Sequence, residues 1–132
     1  MIEFYLDSSS GVPAYLQLVQ QVKRALRLDM LKVGDQLPTV REVVASIAIN
    51  PNTVLKGYRA LEQEGLVVSR PGQGTFVKRT LGGMPPPDLP ALRRDLLVWM
   101  ERAGAAGLDG ESVLDLIMST FREAQHGREE TA

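Results

Sequence analysis

Apolar positions along the chain recur at helical spacing in five stretches, interrupted once by a short alternating pattern. After Pro13, which suits the first turn of a helix, Leu18, Val22, Ala25 and Leu26 form one stripe and predict a helix to about Leu28. Residues 40–48 present Val43, Val44 and Ile47. Residues 51–64 present Val54, Gly57, Tyr58 and Leu61 at i, i+3, i+4 and i+7, and Gly65 suits the stop. The period then changes. Leu66-Val67-Val68-Ser69 and Thr75-Phe76-Val77-Lys78 are short and β-branched, as strands are, and Pro71-Gly72-Gln73-Gly74 joins them as a hairpin turn. Farther on, Leu92, Leu96, Trp99 and Ala103 fall at helical spacing. Ala105-Ala106-Gly107 and Asp109-Gly110 part them from Val113, Leu114, Ile117, Met118 and Phe121. Glu3-Phe4-Tyr5-Leu6 could add a small strand or arm. The class is mainly α with a small β-hairpin.

Two helix starts sharpen this reading. Thr39 and Glu42 have the spacing of a capping box, in which each side chain accepts from the other's backbone N–H. Asn50 is a good N-cap, and Pro51 sits at the first helical position, where a missing N–H costs nothing. Two short helices joined by a tight turn are a helix-turn-helix, and with a preceding helix and a following hairpin they make a winged helix. We therefore expect a winged helix-turn-helix domain over residues 1–79. A linker over 80–90 follows from two glycines and four prolines, which neither a helix nor a central strand accommodates. Residues 91–132 are expected to form a two-helix segment with a polar tail. Two amphipathic helices have too little core to stand alone. Their apolar faces, with Leu92, Leu96, Trp99, Ile117 and Phe121, are expected to meet each other and a second chain, giving a dimer; folding back on the first domain is the alternative.

Composition narrows the function. The 132 residues carry a net charge of -1, but residues 1–80 hold ten Lys/Arg against seven Asp/Glu, while residues 81–132 hold five against nine. A mildly basic first part and an acidic second part fit two different jobs. No apolar run approaches the roughly 18 residues of a membrane helix. The start lacks the pattern of a signal peptide, so a cytoplasmic location and no membrane partner are expected. With no cysteine, disulfides, thiolate metal sites and a cysteine nucleophile are excluded. His126 is the only histidine, and one histidine cannot build a metal site. No nucleophile elbow, phosphate loop or metalloprotease motif is present, so neither an enzyme nor a cofactor is expected.

The remaining chemistry points to double-stranded DNA. On the third helix, Asn52, Thr53, Lys56 and Arg59 lie away from the apolar stripe. Asn can pair with adenine, Thr can touch a thymine methyl, and Lys can reach guanine or phosphate, near the helix N-terminus where base contacts are usually made. Arg41 can reach a phosphate or a guanine, or pair with a local carboxylate. Thr39 is a cap whose helix N-terminus can also hold a phosphate. In the wing, Gln73 is at the tip, and Gly72 and Gly74 either allow close backbone approach or serve turn geometry alone. The rival reading is a winged helix that holds a protein partner without specific DNA binding.

Pro13-Ala14-Tyr15-Leu16-Gln17-Leu18, Gly34-Asp35-Gln36-Leu37-Pro38-Thr39-Val40-Arg41-Glu42, Ile49-Asn50-Pro51-Asn52-Thr53-Val54, Lys56-Gly57-Tyr58-Arg59-Ala60-Leu61-Glu62, Gly65-Leu66-Val67 and Gly72-Gln73-Gly74-Thr75-Phe76-Val77 occur in this order. Together they resemble the winged-helix domain of GntR-type bacterial transcription regulators. The short C-terminal part resembles that of the YtrA subfamily, whose tail dimerises. The resemblance implies a homodimer on a pseudo-palindromic operator, usually repressing its own operon, often one with a membrane transporter. It assigns DNA contact to Arg41, Asn52, Thr53, Lys56, Gln73 and Gly74. The chain departs from the family pattern at Ala48, where glycine is frequent, at Val44, where alanine is common, and at Pro71 and Gln73, where the wing is commonly basic. A small-molecule effector, of unknown identity, could sit between the tail helices or between the domains.

Overall fold

Both expected helix starts form by the chemistry that predicts them. Thr39 Oγ1 accepts from the Glu42 N–H at 3.1 Å, and Glu42 Oε1 accepts from the Thr39 N–H at 3.3 Å. Asn50 Oδ1 accepts from the Asn52 N–H at 2.8 Å, with Pro51 opening the helix. In this computed structural model, residues 2–81 and 88–131 are described; 82–87, the middle of the expected linker, lie outside them. The elements are α1 (Ala14–Arg27), α2 (Val40–Ile47), α3 (Pro51–Gln63), β1 (Val67–Arg70), β2 (Gly74–Val77), α4 (Leu89–Ala105) and α5 (Gly110–Thr131). The chain divides into two compact units, Met1–Pro85 and Pro86–Ala132.

In the first unit, Leu18, Val22, Val54, Leu61, Leu66 and Val77 are buried in one core with Leu37 and Val43. Each such side chain contributes roughly 1.5–3 kcal/mol by leaving water. α1 and α3 approach closely because position 57 has no side chain. A Cβ on Gly57 would stand 3.1 Å from the Tyr15 carbonyl oxygen and 3.7 Å from Leu18 Cβ.

β1 and β2 pair antiparallel, with Val67 opposite Val77 and Arg70 opposite Gly74. Gly74 is thus the first residue of β2 rather than part of the turn, which is closed by the Gln73 N–H donating to the Arg70 carbonyl at 3.0 Å. The sequence reads Gly34-Asp35 only as a break. In the structure, residues 34–37 run along the other edge of β2. Leu37 N donates to the Thr75 carbonyl at 2.8 Å and Val77 N to the Asp35 carbonyl at 2.8 Å. The wing is thereby fastened to the residues just before α2, which also covers an exposed strand edge.

Glu3–Leu6 is an arm, not a strand. Buried Gln21 holds Tyr5 at both ends: its Oε1 accepts from Tyr5 N at 3.1 Å and its Nε2 donates to the Tyr5 carbonyl at 2.8 Å. Buried Gln17 does the same for Asp7, at 2.9 and 3.0 Å. Two side-chain amides replace a neighbouring strand's backbone, which satisfies both parties without a ladder.

Ala48 ends α2 with φ of 51°, in the left-handed region. That conformation costs an L-residue about 1–2 kcal/mol. Glycine there removes the cost but loses about 0.5–1 kcal/mol through its freer unfolded chain. Ala48→Gly is therefore expected to stabilise the first unit by up to about 1 kcal/mol, read as a thermal midpoint raised by a few degrees. An unchanged or lowered midpoint contradicts this.

In the second unit, α4 begins inside the expected linker, with Pro90 in its first turn. The polar C-terminal stretch is helical to Thr131. Asp109 caps α5, its Oδ1 accepting from the Ser112 N–H at 2.8 Å. These hydrogen bonds hold the exposed Asp109 carboxyl below the usual carboxylate range. Among the described residues no helix is long and apolar enough to cross a membrane, and no cluster of metal-ligating side chains occurs.

Candidate nucleic-acid interface

The buried stripe of α3 (Val54, Gly57, Tyr58, Leu61) leaves Asn52, Lys56 and Arg59 exposed and Thr53 half-buried on the rest of the helix. Arg41 is exposed in the first turn of α2, and Thr39 is engaged as that helix's cap. Among the described residues the one salt bridge is Lys23–Glu64, at 2.7 Å. Among the described residues no carboxylate lies within ion-pair distance of Arg41, Lys56, Arg59 or Arg70, so the alternative of a local partner for Arg41 gains no support. The ammonium of Lys56 lies 4.2 Å from the centre of the Tyr15 ring. Such a contact is worth about 0.5–1 kcal/mol at an exposed site and steadies a long flexible chain while leaving its donors free. It follows from Gly57: the bare position that lets α1 approach places the Tyr15 ring beside the neighbouring lysine.

The wing tip stands across from α3. Gln73 is exposed, and its carbonyl accepts from Gln36 Nε2 at 3.2 Å. Gly74 has φ of 130°, and a Cβ there would collide with Gln36 Nε2. Its positive φ and the nearness of Gln36 both favour glycine at this first position of β2. Between the wing and α3 lies a cleft of about 580 Å³. Tyr58, Arg59 and Glu62 line it from α3, Thr39 and Val40 from α2, and Ser69 to Thr75 from the wing. Glu62 Oε2 accepts from the Ser69 N–H at 2.7 Å, tying α3 to β1.

Three participants were not legible as site residues. Tyr15 and Arg70 act through ring contacts between elements, Arg70 lying 4.9 Å from the centre of the Phe76 ring. Tyr58 falls on the apolar stripe, yet its hydroxyl donates to the Pro38 carbonyl at 2.6 Å, inside the core. This bond fixes α3 against the start of α2. Burial, and secondarily the Glu42 charge, raise the Tyr58 phenol well above its ordinary value of 10.0. The neutral form is favoured by folding, so its contribution is full below pH 10 and falls as pH rises beyond that. Tyr58→Phe should cost about 1–3 kcal/mol by stranding the Pro38 carbonyl. It should also flatten the loss of stability above pH 10, as measured by denaturant melts across pH. A variant as stable as the parent contradicts this.

The residues proposed for dimerisation lie in the second unit. Leu92, Leu96 and Phe121 are 52%, 49% and 59% exposed, and Trp99 and Ile117 are half-buried. Leu96, Trp99, Ile117 and Phe121 line one apolar groove of about 470 Å³ with Leu116, Thr120 and Ala124. Leu92 is not among its lining residues.

The family described as bacterial regulatory proteins, gntR family, matches residues 14–77. The chain is 43% identical over 72 residues to the HTH-type transcriptional repressor YtrA of Bacillus subtilis (strain 168), covering 54% of this chain and 55% of that protein. The match thus spans about half of that relative's length. Two solved structures are similar over nearly the whole chain. One is a transcriptional antiterminator from Listeria monocytogenes EGD-e, 28% identical with a TM-score of 0.57, covering 90% of both chains. The other is YtrA from Sulfolobus acidocaldarius, a GntR-family transcription factor, 27% identical with a TM-score of 0.54, covering 92% of this chain and 99% of that one. The winged helix-turn-helix domain that carries the motifs and geometry above, residues 14–77, thus belongs to the gntR family of bacterial regulatory proteins.

Proposed function

We propose that the chain is a sequence-specific DNA-binding transcription regulator, a cytoplasmic repressor that acts as a homodimer on a pseudo-palindromic operator. The observation that carries this is the exposed face of α3, where Asn52, Lys56 and Arg59 make no ion pair among the described residues, flanked by Arg41 and the wing. Arg41, Asn52, Thr53 and Lys56 are the proposed groove contacts, with Gln73 and Gly74 at the wing and a phosphate at the α2 N-terminus beside Thr39. The apolar groove of the second unit supports pairing with a second copy. A dimer sets two recognition helices about one DNA turn, or a multiple of it, apart. The regulated operon, in this reading, is the protein's own and includes a membrane transporter. A small-molecule effector acting through the second unit belongs to the same proposal.

The test is fluorescence anisotropy with DNA from upstream of the gene against random DNA, at two salt concentrations. Tight binding to the upstream DNA that weakens steeply with salt supports the reading. Weak, salt-insensitive binding equal for both DNAs sinks it in favour of a winged helix that holds a protein.

A further inference from the structure

We propose that Tyr15 of α1 is a positioning residue for DNA recognition: its ring is a seat that holds the Lys56 ammonium in place on α3, so that the lysine meets one position of the operator. This rests on the DNA-binding reading and deepens it, and it requires no contact between Tyr15 and DNA.

A lysine left to itself discriminates poorly between sequences. Its flexible four-carbon stem must be ordered on binding, and that costs rotamer freedom. Lys56 is exposed and makes no ion pair or hydrogen bond among the described residues; what restrains it is the Tyr15 ring, whose centre lies 4.2 Å from Nζ. The seat is set by backbone packing. Gly57, the residue after the lysine, is buried, and a Cβ there would stand 3.1 Å from the Tyr15 carbonyl oxygen. The backbone of Tyr15 is therefore held against α3 directly beside Lys56. Tyr15 is half-buried, and its hydroxyl makes no hydrogen bond among the described residues, so the ring face is what the contact uses. An ammonium carries three donors, and a ring face covers one side of it, which leaves donors for a base edge or a phosphate. Lys56 also lies one helical turn after Asn52 on the same side of α3. Held there, it meets the groove with its rotamers already chosen, and the lower ordering cost appears as affinity for a sequence that places an acceptor within its reach. Released from the ring, it still finds phosphates, which every sequence offers. Loss of the ring thus weakens operator binding more than binding to random DNA.

The test is a double-mutant cycle on the full chain, read by anisotropy with DNA from upstream of the gene and with random DNA. Tyr15→Leu removes the ring but keeps apolar bulk, and Lys56→Met keeps the stem without its charge. Tyr15→Leu is expected to lower affinity for the upstream DNA by roughly two- to five-fold, the span of an exposed cation–π contact, and for random DNA by less. In the Lys56→Met background the same change should cost nothing further, a coupling that a merely structural tyrosine would not show. Tyr15→Phe, the conservative variant that keeps the ring face, should restore binding. A second readout needs no DNA: by NMR of the free protein, the ring current should displace the Lys56 side-chain proton signals upfield in the parent and in Tyr15→Phe, but not in Tyr15→Leu. An equal loss from Tyr15→Leu with and without the lysine charge overturns the proposal in favour of α1 packing. Parent-like or tighter binding by Tyr15→Leu overturns it, because the lysine then leaves the ring to reach DNA. A loss in Tyr15→Phe overturns it in favour of a hydroxyl contact with DNA. Undisplaced Lys56 signals in the parent overturn the seat and leave the DNA-binding reading intact. Displaced signals in a parent that does not prefer the upstream DNA overturn the DNA-binding reading, and the role of Tyr15 with it.

Discussion

Lys56→Ala is expected to weaken operator binding by about 1–3 kcal/mol while leaving the fold intact. Lys56 is exposed on α3, and its one partner among the described residues is the Tyr15 ring. Truncation thus removes a cation and a modest ring contact without opening a cavity, and melts should shift by no more than about 0.5–1 kcal/mol. Arg41→Ala should act in the same direction from the start of α2, where the arginine is exposed and the capping box of Thr39 and Glu42 does not involve it. Comparison with random DNA separates two chemistries. A base contact relaxes sequence preference, whereas a phosphate contact weakens every sequence alike and lowers the salt slope by about one. Parent-like operator affinity in both variants, measured by anisotropy, would remove α2 and α3 from the interface.

Phe121→Glu is expected to convert the proposed dimer to a monomer. Phe121 is more than half exposed within the chain and lies beside Trp99 and Ile117 in the apolar groove of α4 and α5. The second unit buries little of its own surface: Ala103 and Val113 are its only buried hydrophobic residues among those described. An apolar face of this kind needs a cover, and a central aromatic residue in an interface contributes about 2–4 kcal/mol on truncation. That is about thirty-fold or more in the dimer dissociation constant, and a buried charge adds to it. Light scattering at micromolar concentration should show the monomer for the variant and the dimer for the parent. Operator affinity should fall with it, because a lone winged helix loses the gain of two linked half-sites. A parent that is already monomeric, or a Phe121→Glu variant that remains dimeric, would sink this account of α4 and α5.

Much of the DNA-binding unit was legible because its signals are local. The capping box of Thr39 and Glu42, the N-cap at Asn50 with Pro51 after it, and the period of Val54, Tyr58 and Leu61 each act within a few residues, and each forms as read. The candidate contacts Asn52 and Lys56 were legible as whatever the apolar stripe leaves over. What escaped depends on neighbours distant in sequence. Gln17 and Gln21 look like surface residues of a helix until the arm at Tyr5 and Asp7 lies across them. Residues 34–37 look like a break until β2 offers them an edge. Arg70 reads as an ordinary strand residue until α3 forms the other wall of its cleft.

By itself, the sequence determined the element order, the two caps of the helix-turn-helix, the apolar stripe of α3 and so the face it turns outward. Propensity, capping and periodicity act over at most a few turns of chain, so one strand of letters carries them. Only the tertiary structure decided the Tyr58 bond to Pro38, the ring of Tyr15 beneath Lys56 and the cleft that gathers Arg59 with Arg70. The physical reason is that these contacts depend on how closely packed elements approach, and that distance is set by core volume, here by the missing side chain at Gly57.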